Sequence, residues 1–468
     1  MTHPILPPDD PQRTLLHNEL HARPPSRIRL PALMVYVAVL NEGVTRDAEC
    51  LHLQRLPGQN ALRINDVQSN FLQLRLAGHT LKWERHSEFT RYSIIQALPT
   101  HALPDADAPD VLSALSIDPA WLRAIPGRTV AAITLALIAG GPGSLTGTPA
   151  AAAMEPPADV PTDAPADLPA LLTTARQWFG GRTVVASHIG SSSGSGGPVC
   201  AITDFALQDN GFERMLVIAP PDISPTRAGR ISGRLLELET YRLMALRGLP
   251  VAKELAPMLH EGETALANIT ASLEDTHSSD QALLDTLIAL AARVERATAL
   301  HGNRFAATQA YDALVRQRIA ELRETALPGT QMIGEFMQRR LSPAIATVAA
   351  TAQRLASLSQ RIERAGALLR TRVDIATEAQ NQQLLSQLTR GQELQLRLQA
   401  TVEGLSIAAI SYYVVSLLLY AGKAAHAAGL PVNAEVAAGA LIPLVLWAVW
   451  RTTRKIHERV HQRARQAR

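Results

Sequence analysis

Residues 404–422, GLSIAAISYYVVSLLLYAG, run for 19 positions without a charge, and this stretch restricts the fold more than any other feature. At 1.5 Å per helical residue it reaches roughly 28 Å, close to the ~30 Å of a bilayer's hydrocarbon core. Tyr412 and Tyr413 fall inside the stretch, and Tyr420 is placed to reach an interface. A second apolar run, Val436 to Trp450, spans 15 residues. It becomes long enough if its helix begins near Pro431, a favourable first-turn residue, with Glu435 near the headgroups and Trp447 and Trp450 as an aromatic belt. A buried helical hairpin in a soluble core is the competing reading. The adjoining tail argues against it: Arg451, Arg454, Lys455, Arg459, Arg463, Arg465 and Arg468 face a single acid, Glu458, whereas the connecting loop has Lys423 alone. The positive-inside bias then places both termini in the cytoplasm. The expectation is two membrane helices, about 404–422 and 431–450, with the lipid bilayer as partner and a basic cytoplasmic tail over 452–468.

Hydrophobic residues make up 47% of the chain and aromatic residues 4%. The apolar content is therefore mostly Ala, Leu and Val, which favours long helices over extensive sheet. A formal net charge of +3 is too small to argue for nucleic acid, and none is expected as a partner. Two cysteines, Cys50 and Cys200, fit a reducing compartment. The N-terminus shows no basic segment followed by an apolar stretch, so no cleavable signal is expected.

The expected fold class is α+β/α. Residues 1–220 read as a cytoplasmic α/β domain with strands at Val35–Leu40, Phe71–Leu76, Leu81–Trp83, Tyr92–Ala97, Thr129–Ile138, Thr183–His188, Val199–Phe205 and Met215–Ile218. Gly78 and His79 are placed as a hairpin turn. The Pro/Ala/Gly-rich stretch 140–170 reads as a disordered insertion. Residues 221–402 read as helical: Thr226–Leu246, a break at Gly248 and Pro250, Val251–Leu273, Asp280–Ala326, a break at Pro328–Gly329, and then one long helix. Along that helix small and apolar residues recur in steps of four and three, from Leu341, Ile345, Val348, Ala352, Leu355, Ser359, Ile362 and Gly366 to Leu369, Val373 and Ala376. After Gln380 the phase slips, then continues through Leu384, Leu388, Leu398, Val402 and Leu405. Some seventy helical residues would extend about 105 Å. An intermolecular coiled coil and an intramolecular bundle both satisfy this periodicity.

Two segments concentrate polar chemistry. In LLHNELHARPP, His17, Asn18, Glu19, His21 and Arg23 fall within seven residues. His17 and His21 would share a helical face, but the order is not that of the zinc peptidase motif, and Pro24-Pro25 would end a helix; an ordered loop without metal is the expectation. In LKWERHSEF, strand alternation would put Lys82, Glu84, His86 and Glu88 on one face and Trp83 and Arg85 on the other. The first face suits acid–base work or cation binding; the plainer expectation is a solvated face of mixed charge. In RLLELETYRLMAL, Glu237, Glu239, Tyr241 and Arg242 suggest buried polar contacts to the N-terminal domain. The glycine-rich run 190–197 lacks the Lys-Ser/Thr ending of a phosphate loop and reads as a hairpin connection. No dinucleotide fingerprint, nucleophile elbow or zinc cysteine pattern occurs, so no cofactor or metal is assigned and an enzyme is disfavoured.

HNELHARP, LKWERHSEF, RAGRISGRLLELETYRLMAL and LLRTRVDIATEAQNQQLL, with the following LQLRLQATVEGLSIAAISYY, together resemble the bacterial family catalogued as domain of unknown function 3422 and described as predicted membrane-anchored proteins. The resemblance covers nearly the whole chain. It implies a bacterial inner-membrane location and supplies no activity. Architecture alone is similar to CorA-type magnesium channels, but their Gly-Met-Asn loop is replaced here by YAGKAAHAAGLPVNAEV, and architecture does not transfer function. Three readings follow: an oligomerising membrane-anchored scaffold or sensor, a CorA-like channel, and an enzyme whose two polar clusters meet around one pocket.

Overall fold

The computed structural model describes residues 10–13, 16, 24–98, 115–140, 173, 175–190, 199–274, 279–428 and 433–466, with side chains through 455. Apart from Gly140, the expected insertion at 140–170 lies outside them, as do the His17–Arg23 cluster and Pro431. The chain divides into two compact units, 1–278 with 285–364, and 279–284 with 365–468.

The first unit is built on a nine-stranded sheet of order β2-β3-β4-β1-β5-β8-β7-β6-β9. The strands are β1 (Ala32–Leu40), β2 (Phe71–Leu76), β3 (His79–Arg85), β4 (Phe89–Ala97), β5 (Arg128–Ala139), β6 (Val185–Ile189), β7 (Val199–Leu207), β8 (Glu213–Ala219) and β9 (Glu324–Ala326). β5 and β8 run parallel, while the ladders β2–β3, β3–β4, β4–β1, β1–β5, β8–β7, β7–β6 and β6–β9 are antiparallel. Each expected strand is present. β3 is longer than expected, because His79 begins the strand and Gly78, at φ +83°, takes the left-handed turn position that glycine accepts without strain. β6 and β7 pair antiparallel from Ile189↔Val199; the expected hairpin connection over 190–197 lies, apart from Gly190, outside the described residues.

Two-residue alternation sorts the central strands between two layers. Met34, Tyr36 and Ala38 of β1 join one core, and Leu33, Val35, Val37 and Val39 join another on the opposite face. Both faces are covered, which is why β1 reads as a continuous apolar run. On one side lies α3 (Pro225–Leu246), which contributes Ile231, Leu235, Leu238 and Met244 to the core. Ser224 caps it, its hydroxyl accepting from the Arg227 N–H, and Pro225 occupies the first turn. On the other side α1 (Arg46–Gln54) and α2 (Pro119–Arg123) bring Leu53 and Trp121 against β1, β3 and β4. These two short helices have no counterpart in the sequence reading.

α4 (Gly248–Ser272) follows α3 after the single residue Arg247, so the expected break at Gly248 and Pro250 reduces to that one residue, with Pro250 in the first turn of α4. α5 (Asp280–Leu322) ends four residues earlier than expected, and Glu324–Ala326 adds β9 to the sheet edge instead. A helix cannot supply the ladder that Ser187, His188 and Ile189 find in β9; edge pairing overrides the local helical pattern. α6 (Ile333–Arg340) leads into α7 (Ser342–Ala427). Up to Ile362 the heptad seam of α7 is buried inside its own chain. Gly248 admits Val348 and Thr308, and Gly262 admits Leu358 and Leu290, at distances where a Cβ would collide. Ion pairs Arg354–Glu263 (2.8 Å) and Arg293–Glu261 (3.0 Å) flank the same helices. At alternate positions Thr351, Leu358 and Ala365 are buried in place of Ala352, Ser359 and Gly366, while Leu355, Ile362 and Leu369 are buried as expected.

In the second unit, Leu369 is buried and Arg372 pairs with Asp280 at 3.0 Å. From Asp374 to Val402 α7 is exposed, including Leu384, Leu388, Leu398 and Val402. The later part of α7 and residues Glu435–Lys455 of α8 (Ala434–Gln466) are long and apolar enough to cross a membrane, at mean hydropathies of 1.8 and 1.4. Just 6% and 11% of these apolar windows are buried.

Candidate functional site

A cavity of about 450 Å³ opens between the sheet and α3. β3 and β4 supply its floor with Lys82, Glu84 and Arg91, α3 forms one wall with Glu237, and α5 closes the site with Arg318 and Glu321. Strand alternation explains the floor: on β3, Lys82 and Glu84 share the face toward α3, while Trp83 and Arg85 point to the opposite layer. Glu84 is opposite Arg91 in the β3–β4 register, and helical spacing puts Glu237 and Tyr241 on one face of α3.

The expected solvated face is corrected here. Lys82, Glu84 and Arg91 are 8%, 1% and 8% exposed, because α3 lies over them. Burying charge is tolerated only when each charge is paired, and the pairing is continuous. Lys82 Nζ stands 3.2 Å from Glu84 Oε1, and Arg91 Nε donates to Glu84 Oε2. Arg91 Nη1 reaches Glu237 Oε1 at 3.0 Å, and Arg318 Nε reaches Glu237 Oε2 at 2.7 Å. Arg318 Nη1 then donates to Glu321 at 2.9 Å, and Arg234 Nε lies 3.1 Å from Glu321 Oε2. Seven charges thus alternate across two strands and two helices.

Electrostatics follow that order. Burial alone would raise the Glu84 carboxyl, but Arg91 and then Lys82 outweigh it and hold Glu84 below its ordinary range. Burial lowers Lys82, with Glu84 offsetting part of the effect. At Arg91 burial is overcome by Glu84, Tyr36 and Glu237, and the guanidinium stays charged. Tyr36 is raised mainly by burial; its hydroxyl hydrogen-bonds to Thr240 Oγ1 at 2.8 Å. A carboxylate kept ionised is a poor general acid. The arrangement suits recognition of charge better than proton transfer.

The remaining sequence candidates divide. His86 lines the cavity and stacks on Phe89 at 4.5 Å. Arg85 is spent on Glu49 at 2.7 Å and the Val44 carbonyl at 2.9 Å. Glu88 accepts from Arg304 Nη2 at 3.2 Å. Of residues 15–25, Pro25 is described at the cavity and lines it together with Lys82, Glu84 and His86. Arg91, Arg230, Arg234, Arg318 and Glu321 also line the cavity and lie outside both polar segments of the sequence. The available signal was the spacing of Arg227, Arg230 and Arg234 with Gly229 and Gly233 along one amphipathic helix.

A second cavity, about 520 Å³, lies beside α2. There Ser116 Oγ is 2.9 Å from His79 Nδ1 and donates to Gln96 Oε1 at 2.9 Å. Burial lowers His79. Ser116 is tied to an amide acceptor and His79 has no carboxylate orienting it among the described contacts, so the triad geometry of acyl transfer is not formed. Among the described residues no group of three His, Cys, Asp or Glu side chains is arranged to hold a metal ion.

An α+β domain with an ion-paired cavity, continued by long helices of which two are strongly apolar, defines the class of protein. The chain belongs to the family described as Protein of unknown function (DUF3422), whose model matches residues 8–460. No curated protein and no solved structure matches it.

Proposed function

We propose that the protein is a membrane-anchored sensor or scaffold of the bacterial inner membrane. Its N-terminal domain binds a ligand on the cytoplasmic side, two helices near the C-terminus hold it in the bilayer, and copies associate along α7. The observation that carries this reading is the uncovered apolar surface of the two long helices, 6% and 11% buried. A soluble protein rarely leaves so large an apolar surface in water. Over 404–422 eight Leu, Ile and Val residues favour insertion by roughly 4 kcal/mol in total. Arg451 and Arg454, packed over Trp447 and Trp450 at 5.0 and 5.2 Å, supply the interfacial, cytoplasmic end.

Self-association is supported by the exposed line of Leu384, Leu388, Leu398 and Val402, which resumes a heptad frame after the slip at Gln380, beyond the part of α7 that the chain buries itself. The test is membrane fractionation with alkaline washing, together with a reporter fused to the C-terminus and native mass spectrometry in detergent. The expected result is retention in the membrane pellet, a cytoplasmic reporter and an oligomer. Release into the soluble fraction overturns the anchor, a periplasmic reporter overturns the topology, and a strict monomer overturns the association.

A further inference from the structure

The cavity beneath α3 carries more positive charge than its own carboxylates neutralise. Lys82, Arg91, Arg230, Arg234 and Arg318 line it against Glu84, Glu237 and Glu321. The run of ion pairs from Lys82 to Arg234 uses four cations for three carboxylates and leaves one positive charge over. Arg230 adds a second. It is exposed, and no ion pair or side-chain hydrogen bond engages it among the described residues. Arg230 and Arg234 are four residues apart on α3 and therefore neighbours on its surface. Arg234 is itself held by Glu321, through the carboxylate at 3.1 Å and the main-chain carbonyl at 3.0 Å, so among the described residues Arg230 is the cavity cation left without a carboxylate.

Space accompanies the charge. Gly233 lies between these arginines and lines the cavity, and a Cβ placed on it meets no atom within 4 Å. Gly229, one turn earlier, is needed for packing, since its Cβ would fall 1.6 Å from the Ser26 carbonyl oxygen. Gly233 has no such neighbour and leaves open volume in the cavity lining that it shares with Arg230 and Arg234. At about 450 Å³ the cavity is in the range of small-molecule sites.

We propose that this cavity binds a small molecule bearing a phosphate-type dianion, with Arg230 and Arg234 gripping the charged head and Gly233 providing the room for it. Guanidinium forks match phosphate oxygens in pairs, and a cavity lined by two more cations than carboxylates suits a compact, doubly charged head. The inference rests on the reading of the N-terminal domain as a ligand-binding module and is independent of how the chain is anchored.

The test is calorimetric titration of the full-length protein in detergent micelles with inorganic phosphate, glycerol phosphate, a short-chain phosphatidic acid and succinate. Binding of the free phosphates in the millimolar range or tighter is expected, with succinate weaker. Preferential binding of the phosphatidic acid, also in support, would identify a lipid headgroup as the source of the same chemistry. Arg230→Ala should weaken binding roughly tenfold, the scale of one charge-assisted contact. Gly233→Leu should abolish it by filling the space, while leucine, a better helix former than glycine, maintains α3. Absence of phosphate binding, succinate binding as tight as phosphate, or a Gly233→Leu protein that binds like the parent each overturns the proposal. None of these outcomes bears on membrane fractionation, so the two readings fail separately.

Discussion

Arg91 joins a strand to a helix 146 residues further along the chain: its Nη1 donates to Glu237 Oε1 at 3.0 Å while its Nε is committed to Glu84. One buried guanidinium therefore satisfies carboxylates on both the sheet and α3, and the two layers depend on it together. Lysine, a point charge, lacks the fork needed to serve both.

Removing Arg91 leaves Glu84 buried with Lys82 as its remaining cation and Glu237 with Arg318. Breaking a buried pair from one side costs about 3–5 kcal/mol, so Arg91→Ala should lower the thermal midpoint by many degrees, and Arg91→Lys should recover only part of the loss. Arg318, 19% exposed at its side chain, should cost less when replaced by alanine. Unfolding scans of the three variants check the order, and an unchanged midpoint in Arg91→Ala would contradict it.

Glu213 lies beside Glu239 and 3.7 Å from Arg242, which is bound to Glu239. Burial and then the Glu239 charge push its carboxyl from 4.5 up to about 9. The folded protein thus holds a proton that the unfolded chain releases. Stability from this site is complete below about pH 4.5 and declines as pH rises towards about 9. Glu213→Gln, which keeps the shape without the titration, should flatten the fall of thermal midpoint across that window. Parallel profiles for parent and variant would refute the assignment.

His52 behaves in the opposite sense. It stacks on Trp121 at 4.2 Å, both ring nitrogens are without hydrogen-bond partners, and burial lowers it from 6.5 to about 4. Folding favours the neutral ring, so its contribution is present above about pH 6.5 and is lost as pH falls towards about 4. His52→Phe should reduce acid sensitivity in that interval, measured by denaturation at matched ionic strength. A variant as acid-labile as the parent would show that other groups dominate.

Gly229 and Gly233 offer a matched pair on one helix. Alanine at 229 would press a Cβ against the Ser26 carbonyl, and overpacking of this kind costs roughly 1–3 kcal/mol. At 233 it meets no atom within 4 Å and should gain up to about 1 kcal/mol from helix propensity. Thermal midpoints moving in opposite directions would bear this out; two equal shifts would not.

Several elements were legible because a local period carries them. β1 and β5 stand out as apolar runs, and α3 as an amphipathic segment behind Ser224 and Pro225. The cavity was legible in fragments. Lys82, Glu84 and His86 stand in one dense cluster of the sequence, and Glu237 is a charge among leucines, but nothing local joins them. Arg318 and Glu321 look like ordinary surface charges of a long helix. Glu324–Ala326 looks like the end of a helix in the sequence, because it has no strand signal apart from the edge of β6 that receives it.

The amino-acid sequence by itself determined the pattern of apolar helices, the strand periodicity and the basic end of α8, because each depends on residues close together along the chain. Tertiary structure decided which charges are buried, where the heptad seam turns inward and which surplus arginines face a cavity. Those outcomes depend on layers brought together from distant segments, and the cost of burying a charge is set by the partners found there.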